Sequence, residues 1–442
     1  MRPRNLGCWL GGVSAFVWLS CSLIPTQPTQ CSERRPCASG LRCDSNTSTC
    51  VPMGTPADGS TDGTDMNTGP ACSRESQCTA GLACRSGRCL PCVEHSDCET
   101  AICEHTAPDT PSLGETICRT TNILYVDNGG TGTSCSSGDG NSSASPLCSL
   151  AEALPRAAME NKVIRLTPRA MPYAALGSVD LAGKNVAIYG QLSLGSSGSL
   201  QVGSGAKIQG SSTPAVSLSG AGSRLLLDGV DLQSTGGSAL TCSGGASLRV
   251  LRSFLHDSAD RGLVADGCAL RIHRSTLAAN RGGGLDLRQL TPGYHISNNL
   301  IYRNGDAGQP SNGVYIFGSS GTFAFNTLAN NQAKLPAVGG IACSGVYGTI
   351  ENNILYLNSP GGGSGQSTCS LDSSNVLSPG HRDGDPVFVD PQKDNFQLVP
   401  NAASNTSCCV DRATTSTGPA LDYYGQPRIQ GLHADIGAAE LR

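Results

Sequence analysis

The chain has 442 residues, 14% of them charged and 4% aromatic, with 56 glycines, 22 cysteines and a formal net charge of −4. That length admits more than one domain, and the mild acidity with no long basic run excludes the electrostatic footprint of a nucleic-acid binder. Scarce aromatics and abundant glycine suit a narrow chain path with tight corners.

At the N-terminus, Arg2 and Arg4 precede an apolar run from Leu6 to Leu19, followed by Ser20 and Cys21. A basic start, an apolar stretch and a small residue form an export signal, predicted over residues 1–20. The run is too short for a comfortable membrane span. No second apolar stretch is long enough to cross a bilayer, so any membrane attachment is by lipid. The segment Trp18-Leu19-Ser20-Cys21 resembles a bacterial lipobox, which implies lipidation of Cys21 and an outer-membrane lipoprotein; free secretion is the other outcome. Of the 22 cysteines, setting aside Cys8 and Cys21 leaves 20, an even number able to pair in an oxidising compartment.

Residues 21–30 are polar with two prolines and read as a tether. Three four-cysteine modules follow. The first, within 31–53, has Cys31, Cys37, Cys43 and Cys50. The second and third, within 71–121, have Cys72, Cys78, Cys84 and Cys89, then Cys92, Cys98, Cys103 and Cys118. Residues 54–70, rich in Gly, Thr and Asp, read as a flexible linker. Modules this small cannot bury a sufficient core, so two disulfides each are expected, in any of three connectivities. Zinc is the competing reading: Cys89 and Cys92 have ligand-like spacing, with His95 and His105 near. Such a site usually shows paired CxxC units, and here there is one. No metal is therefore assigned.

Residues 122–161 open a new domain. Tyr125-Val126-Asp127 begins a strand, and a Gly/Ser loop holds Cys135 and Cys148, predicted to pair. The Ser149/Glu152 spacing is that of a capping box, so a helix is expected from Leu150 towards Met159, shortened or kinked by Pro155. Its face of Leu150, Ala153, Leu154 and Ala157 is placed over the open end of the repeats beyond it, as an N-terminal cap.

Over residues 162–380 a repeat appears. Anchors Leu232, Leu255, Leu277, Ile301, Leu328, Leu355 and Leu377 recur at 23, 22, 24, 27, 27 and 22 residues. Asn299, Asn326 and Asn353 stand two residues before an anchor, with Asn375 in the same column. Asn280, Asn304, Asn331 and Asn358 stand three after one. A second series reads Val250, Ile272, Ile296, Phe323, Ile350; a third reads Leu240/Cys242, Leu263/Ala265, Leu285/Leu287, Val314/Ile316, Ile341/Cys343. A fixed period in the twenties marks stacked repeats, and alternation at period two marks strands with one face in and one out. Three short strands per turn predict a right-handed parallel β-helix of roughly nine coils. Leucine-rich repeats need a denser leucine pattern, and helical repeats a 3.6-residue period. The asparagines are read as a structural ladder at the corners, amides bonding from coil to coil and tolerating left-handed backbone. One coil separates Cys242 from Cys268 and Cys343 from Cys369, the preferred bonds. For the adjacent Cys408 and Cys409, partners elsewhere and free thiols both remain open.

Residues 381–442 change character and read as a C-terminal cap. They contain Asp385-Pro386-Val387-Phe388-Val389-Asp390-Pro391 and Asp435-Ile436-Gly437-Ala438. From Tyr125 onward the chain resembles the bacterial right-handed parallel β-helix proteins of the pectate-lyase-like superfamily, and its end resembles the terminal segment of exported proteins of the choice-of-anchor type. The front modules resemble short Cys-rich repeats of exported myxobacterial-type proteins. None of these families implies a single activity.

Enzymes of the resembled superfamily work on the outer face of the coils, most often on acidic polysaccharides. Its lyases pair carboxylate-held Ca2+ with an Arg or Lys base, and its hydrolases use clustered carboxylates. Asp228, Asp231, Asp257, Asp260, Asp266, Asp286 and Glu351 form no column, and pairs such as Asp257/Asp260 read as solvated corners. A basic column is better supported: Arg249, Arg271 and His295 share one outward position in three repeats. Arg252 and Arg274 share another, beside His273. The column reads either as a solvated strand face or as a groove for anionic groups, where Arg offers bidentate hydrogen bonds. Arg271, Arg274 and His273 are the candidates for a lyase base. The expected function is a non-enzymatic, exported cell-surface protein, monomeric, binding an extracellular glycan or a surface protein, with no cofactor. The alternative is a polysaccharide lyase or glycoside hydrolase, the lyase using Ca2+. A carboxylate and an arginine converging within about 6 Å in an outward groove would favour the alternative, since both chemistries need charged groups brought together.

Overall fold

The computed structural model describes residues 41–44, 49–52, 70–78, 82–85, 87–90, 92, 97–98, 102–105, 116–129, 138–192, 205–359, 366–381, 383–414, 419 and 421–441. The export signal, Cys21, the tether, Cys31, Cys37, the linker up to residue 69 and Cys135 lie outside them. The chain divides into two compact units, Met1–Thr68 and Gly69–Arg442. In the first, Leu41–Asp44 and Thr49–Pro52 pair antiparallel with Cys43 opposite Cys50.

In the second unit, both described Cys-rich modules join first cysteine to third and second to fourth. The bonds are Cys72–Cys84 and Cys78–Cys89, then Cys92–Cys103 and Cys98–Cys118. Each module folds a small antiparallel hairpin, Ala83–Arg85 with Arg88–Leu90 and Ile102–His105 with Thr116–Arg119.

From Ile123 the chain winds into a parallel β-solenoid of about eight turns, three strands to a coil. Sheet 1 runs from Gly177–Asp180 to Ile341–Ser344 and has seven strands. Sheet 2 runs from Ile123–Val126 to Thr349–Glu351, and sheet 3 from Tyr173–Ala174 to Val376–Ser378, with nine strands each. Every anchor stands opposite the next, Leu232 against Leu255 and so on to Leu355 against Leu377. Val250, Ile272, Ile296, Phe323 and Ile350 form the inward file of sheet 2. Leu240, Leu263, Leu285, Val314 and Ile341 form that of sheet 1. These side chains fill one continuous core.

Helix α1, Leu150–Glu160, connects the first two strands of sheet 2, which pair directly with each other, and buries Leu150, Ala153, Leu154 and Ala157 in the core cluster that holds Leu124 and Ile164. Ser149 is its N-cap but makes no side-chain cap bond, so the capping box does not form; Pro155 is accommodated inside the eleven-residue helix.

Two amide ladders brace the corners. Asn299 donates through N–H and Nδ2 to Asn326 Oδ1 at 3.0 and 2.9 Å, Asn326 likewise to Asn353, and Asn353 to Asn375. In the second file Asn280, Asn304, Asn331 and Asn358 are linked the same way, and Asn358 ends on Gln366 Oε1. Serine holds the same places in the coils before them: Ser253 N–H donates to Ser275 Oγ, and Ser275 N–H to Asn299 Oδ1. The left-handed residue at each corner is not the ladder amide but the residue before it. Arg252, Arg274, Asn298, Phe325 and Asn352 have φ of 45–57°, as do, within 47–54°, Asp257, Ala279, Arg303, Asn330 and Leu357. Such backbone costs a side-chain-bearing residue ~1–2 kcal/mol, and the ladder bonds on the following residue hold it in place.

The C-terminal segment lies along the flank of the coils rather than across their end. Its hairpin, Phe388–Asp390 with Asn395–Leu398, and helix α2, Ala403–Cys408, pack with Tyr423, Tyr424 and Ile436 onto the outer face of sheet 3, covering Phe254, Leu300, Phe325, Ile354 and Val376. The left-handed corner file is the ledge to which it is bonded. Arg274 Nε donates to Tyr423 O at 3.2 Å, Arg428 Nη2 donates to Asn298 Oδ1 at 2.9 Å, and Thr414 N–H donates to Asn352 Oδ1 at 3.0 Å. The Arg428 guanidinium stands 4.5 Å over the Phe325 ring. Cys242 is bonded to Cys268 and Cys343 to Cys369. Cys408 and Cys409 are both buried and bonded to each other, neither reaching a distant partner nor remaining as free thiols. Cys148 is disulfide-bonded.

Candidate functional site

Sheet 2 turns its odd-register residues outward. Leu226, Arg249, Arg271, His295 and Thr322 stand opposite one another in five successive strands. The three basic residues are half-buried, and they line a groove of about 600 Å3. Arg224 enters it from the strand Arg224–Asp228, and the Thr291–Gly293 turn, Tyr294 and Ser320 complete its wall. No carboxylate is among these lining residues. His295 is held below the ordinary imidazole range, first by burial and then by the charge of Arg271. The groove thus offers three fixed guanidinium charges and a neutral imidazole able to charge as pH falls.

Arg274 and His273, two of the three candidates for a lyase base, are not brought to this groove. Both are buried where the C-terminal segment crosses the corner. His273 Nδ1 lies 3.0 Å from Ser297 Oγ, and burial followed by Arg274, His295 and Arg428 drives its pKa well below the usual value. It is a neutral packed imidazole out of reach of a substrate. His273 alternates with the inward Ile272 and so leaves the core, whereas Arg274 is the left-handed corner residue after the strand, where alternation ends, and is bonded to Tyr423 of the C-terminal segment.

Three of the seven mid-coil acids are sequestered. Asp228 is fully buried in a two-point pair with Arg252, at 2.8 and 2.6 Å. Asp231 is buried against His256 Nε2 at 2.7 Å, whose Nδ1 meets Asp257 at 2.7 Å. Asp286 is 1% exposed and accepts from Arg288 at 2.9 and 2.8 Å and from Arg261 at 3.0 Å. Their partners sit one coil away or two residues on, an interval that only register reveals.

The Asp286–Arg288 pair stands on the outer face of sheet 1, beside a smaller groove of about 350 Å3 lined by Asp266, Arg288, Gln289, Tyr315 and Phe317. A carboxylate and an arginine therefore do converge on an outward face. Asp286 is closed off by two guanidinium groups, which leaves Asp266 as the exposed carboxylate of the lining set. Neither this groove nor Arg224 and Tyr294 of the larger one stood out in the sequence. The signal present there was parity: Tyr315 and Phe317 alternate with the inward Val314 and Ile316.

Two cysteine groups have the compactness of metal sites, Cys72/Cys78/Cys89 and Cys92/Cys98/Cys118, with ligand atoms within 4.8 Å. All six sulfurs are disulfide-bonded, so none is a thiolate available to an ion.

Among known proteins, the family described as the right handed beta helix region matches residues 193–358. Of solved structures, that of pectate lyase Pel9A is similar over 73% of this chain and 97% of its own, at 15% identity and a TM-score of 0.40. No curated protein matches the chain.

Proposed function

We propose that this chain is an exported surface protein whose β-helix binds an anionic glycan in the sheet 2 groove without cleaving it. The observation that carries this reading is the file Arg249, Arg271 and His295, with Arg224 beside it, in a groove whose lining contains no carboxylate. Strands in a sheet repeat at ~4.8 Å, so the charges form an evenly spaced row along the solenoid axis. Guanidinium groups bind carboxylate, sulfate and phosphate through paired hydrogen bonds. Disulfides in both described Cys-rich modules and along the coils support an oxidising, extracellular setting. An acid–base pair for hydrolysis and a carboxylate cage for Ca2+ both require acidic side chains, which the lining set lacks.

The test is a glycan array with the full chain, followed by calorimetry on the best ligand. Arg249→Ala and Arg271→Ala should each weaken binding at least tenfold; binding unchanged in both would refute the reading. The polysaccharide lyase or hydrolase alternative draws on Asp266, Arg288 and Asp286 of sheet 1. Absorbance of unsaturated products from acidic polysaccharides, with and without Ca2+, decides it: a rise abolished by Arg288→Ala would replace binding with catalysis.

A further inference from the structure

We infer that the outer face of sheet 1 carries a second sugar site, separate from the basic groove, which takes a neutral pyranose ring. Strand register stacks Asp266, Arg288 and Phe317 in one file and sets Asp286 against Tyr315 in the next. Between them lies the 350 Å3 groove. That is at the small end of ligand pockets, ~300–1,000 Å3, room for a ring or two and not for a folded partner.

Three features define the ligand. The first is Phe317, which leaves 39% of its surface in solvent on a regular strand, with Tyr315 beside it. An exposed aromatic face with a partly apolar, partly polar surround binds the C–H face of a sugar ring, which is apolar on its faces and polar at its edge. The second is Arg288. Its Nε and Nη2 are fixed on Asp286, and Asp286 is itself fixed by Arg261. The Nη1 N–H bonds therefore project from a guanidinium that is already ordered, and ordering it on binding costs little. Asp266 and Gln289 add an acceptor and an amide, the groups that read paired hydroxyls.

The third feature is charge. Asp266 and Asp286 balance Arg261 and Arg288, so this groove is locally neutral, while the sheet 2 groove is cationic. An anion gains nothing here and meets Asp266. A neutral, hydroxyl-rich ring meets a stacking surface, an acceptor and oriented donors at no electrostatic cost. The two faces of the solenoid then select different glycans, or different stretches of one mixed polymer.

The experiment is affinity electrophoresis of the full chain in gels carrying a β-glucan, an α-mannan, a xylan, a galactan or polygalacturonate. At least one neutral polymer should retard the protein. Phe317→Ser should weaken that retardation at least tenfold, Phe317→Tyr should retain it, and polygalacturonate retardation should be the same in both variants as in wild type. Arg271→Ala should leave the neutral polymer bound. The inference is overturned if no neutral polymer retards the chain, if Phe317→Ser binds as wild type, if Phe317→Tyr loses binding as fully as Phe317→Ser, or if Phe317→Ser loses polygalacturonate in equal measure. Failure of the basic groove would show separately, as loss of nothing in Arg271→Ala.

Discussion

Asn353 Oδ1 receives both the backbone N–H and the side-chain Nδ2 of Asn326, at 2.9 and 3.1 Å, although the two residues are 27 positions apart. One amide oxygen thus closes a corner in one coil and fixes its height on the next.

Removing that amide should be costly. Asn326→Ala strips Asn299 of its acceptor and leaves buried donors unmet, at ~1–3 kcal/mol for each group left unsatisfied. Serine already serves at Ser253 and Ser275, where Oγ accepts the N–H from the coil before. Asn299→Ser should therefore lose clearly less stability than Asn299→Ala. Urea midpoints of the two variants check this; equal losses would count against the ladder as the brace.

Arg271 and Arg274 are three residues apart and should separate by readout. Arg271→Ala, in the open groove, should weaken binding of a sulfated polysaccharide at least tenfold and lower the melting temperature less than Arg274→Ala does. Arg274→Ala removes a buried charged donor from Tyr423 O, a loss of ~1.5–3 kcal/mol, and should loosen the C-terminal segment, seen as faster hydrogen exchange around Tyr423.

Binding in the basic groove should strengthen on acidification. His295 is neutral at pH 7 because burial and Arg271 hold its pKa below 6.5. A bound anion favours the charged ring, so affinity for a sulfated ligand, which stays charged throughout, should rise as pH falls below that value. His295→Asn should flatten the profile, measured by calorimetry across pH 5–8.

The C-terminal segment should be pH-sensitive in the opposite range. Asp422, Asp435 and Glu440 crowd around the buried Arg428, and burial raises all three. Glu440 is pushed up to about 8 from 4.5, by burial and then by the charge of Asp435. Folded Glu440 keeps a proton that the unfolded chain releases near 4.5. Between those values the folded state binds more protons, so this contribution is full below 4.5 and is lost as pH rises through about 8. The gap in stability between wild type and Glu440→Gln should change across that window by on the order of a few kcal/mol, measured by denaturation at fixed ionic strength.

The Cys343–Cys369 bond closes a loop of 26 residues near the last coils. Replacing both by serine should cost ~2–4 kcal/mol, read from thermal melts, with the sheet 2 groove still binding.

The coil architecture was legible because each of its determinants recurs at an interval. The anchors from Leu232 to Leu377 name their own partners, and strand parity places Arg249, Arg271 and His295 on one outward file. The grooves were only half legible. Parity says that a side chain leaves the core, not that it reaches water: His273 and Asp286 leave the core and stay buried, and Arg274 sits at a left-handed corner where alternation gives no direction. Phe317 shows the reverse case, an outward aromatic easily passed over among few aromatics.

Period and alternation are properties of the chain read in one dimension, and they settled how the backbone winds and which residues face inward. Which outer faces remain open was settled in space. The last sixty residues carry no repeat, yet they fold back along sheet 3 and its corner file. A contact between Arg428 and Asn298 spans 130 positions, and no interval in the coils announces it.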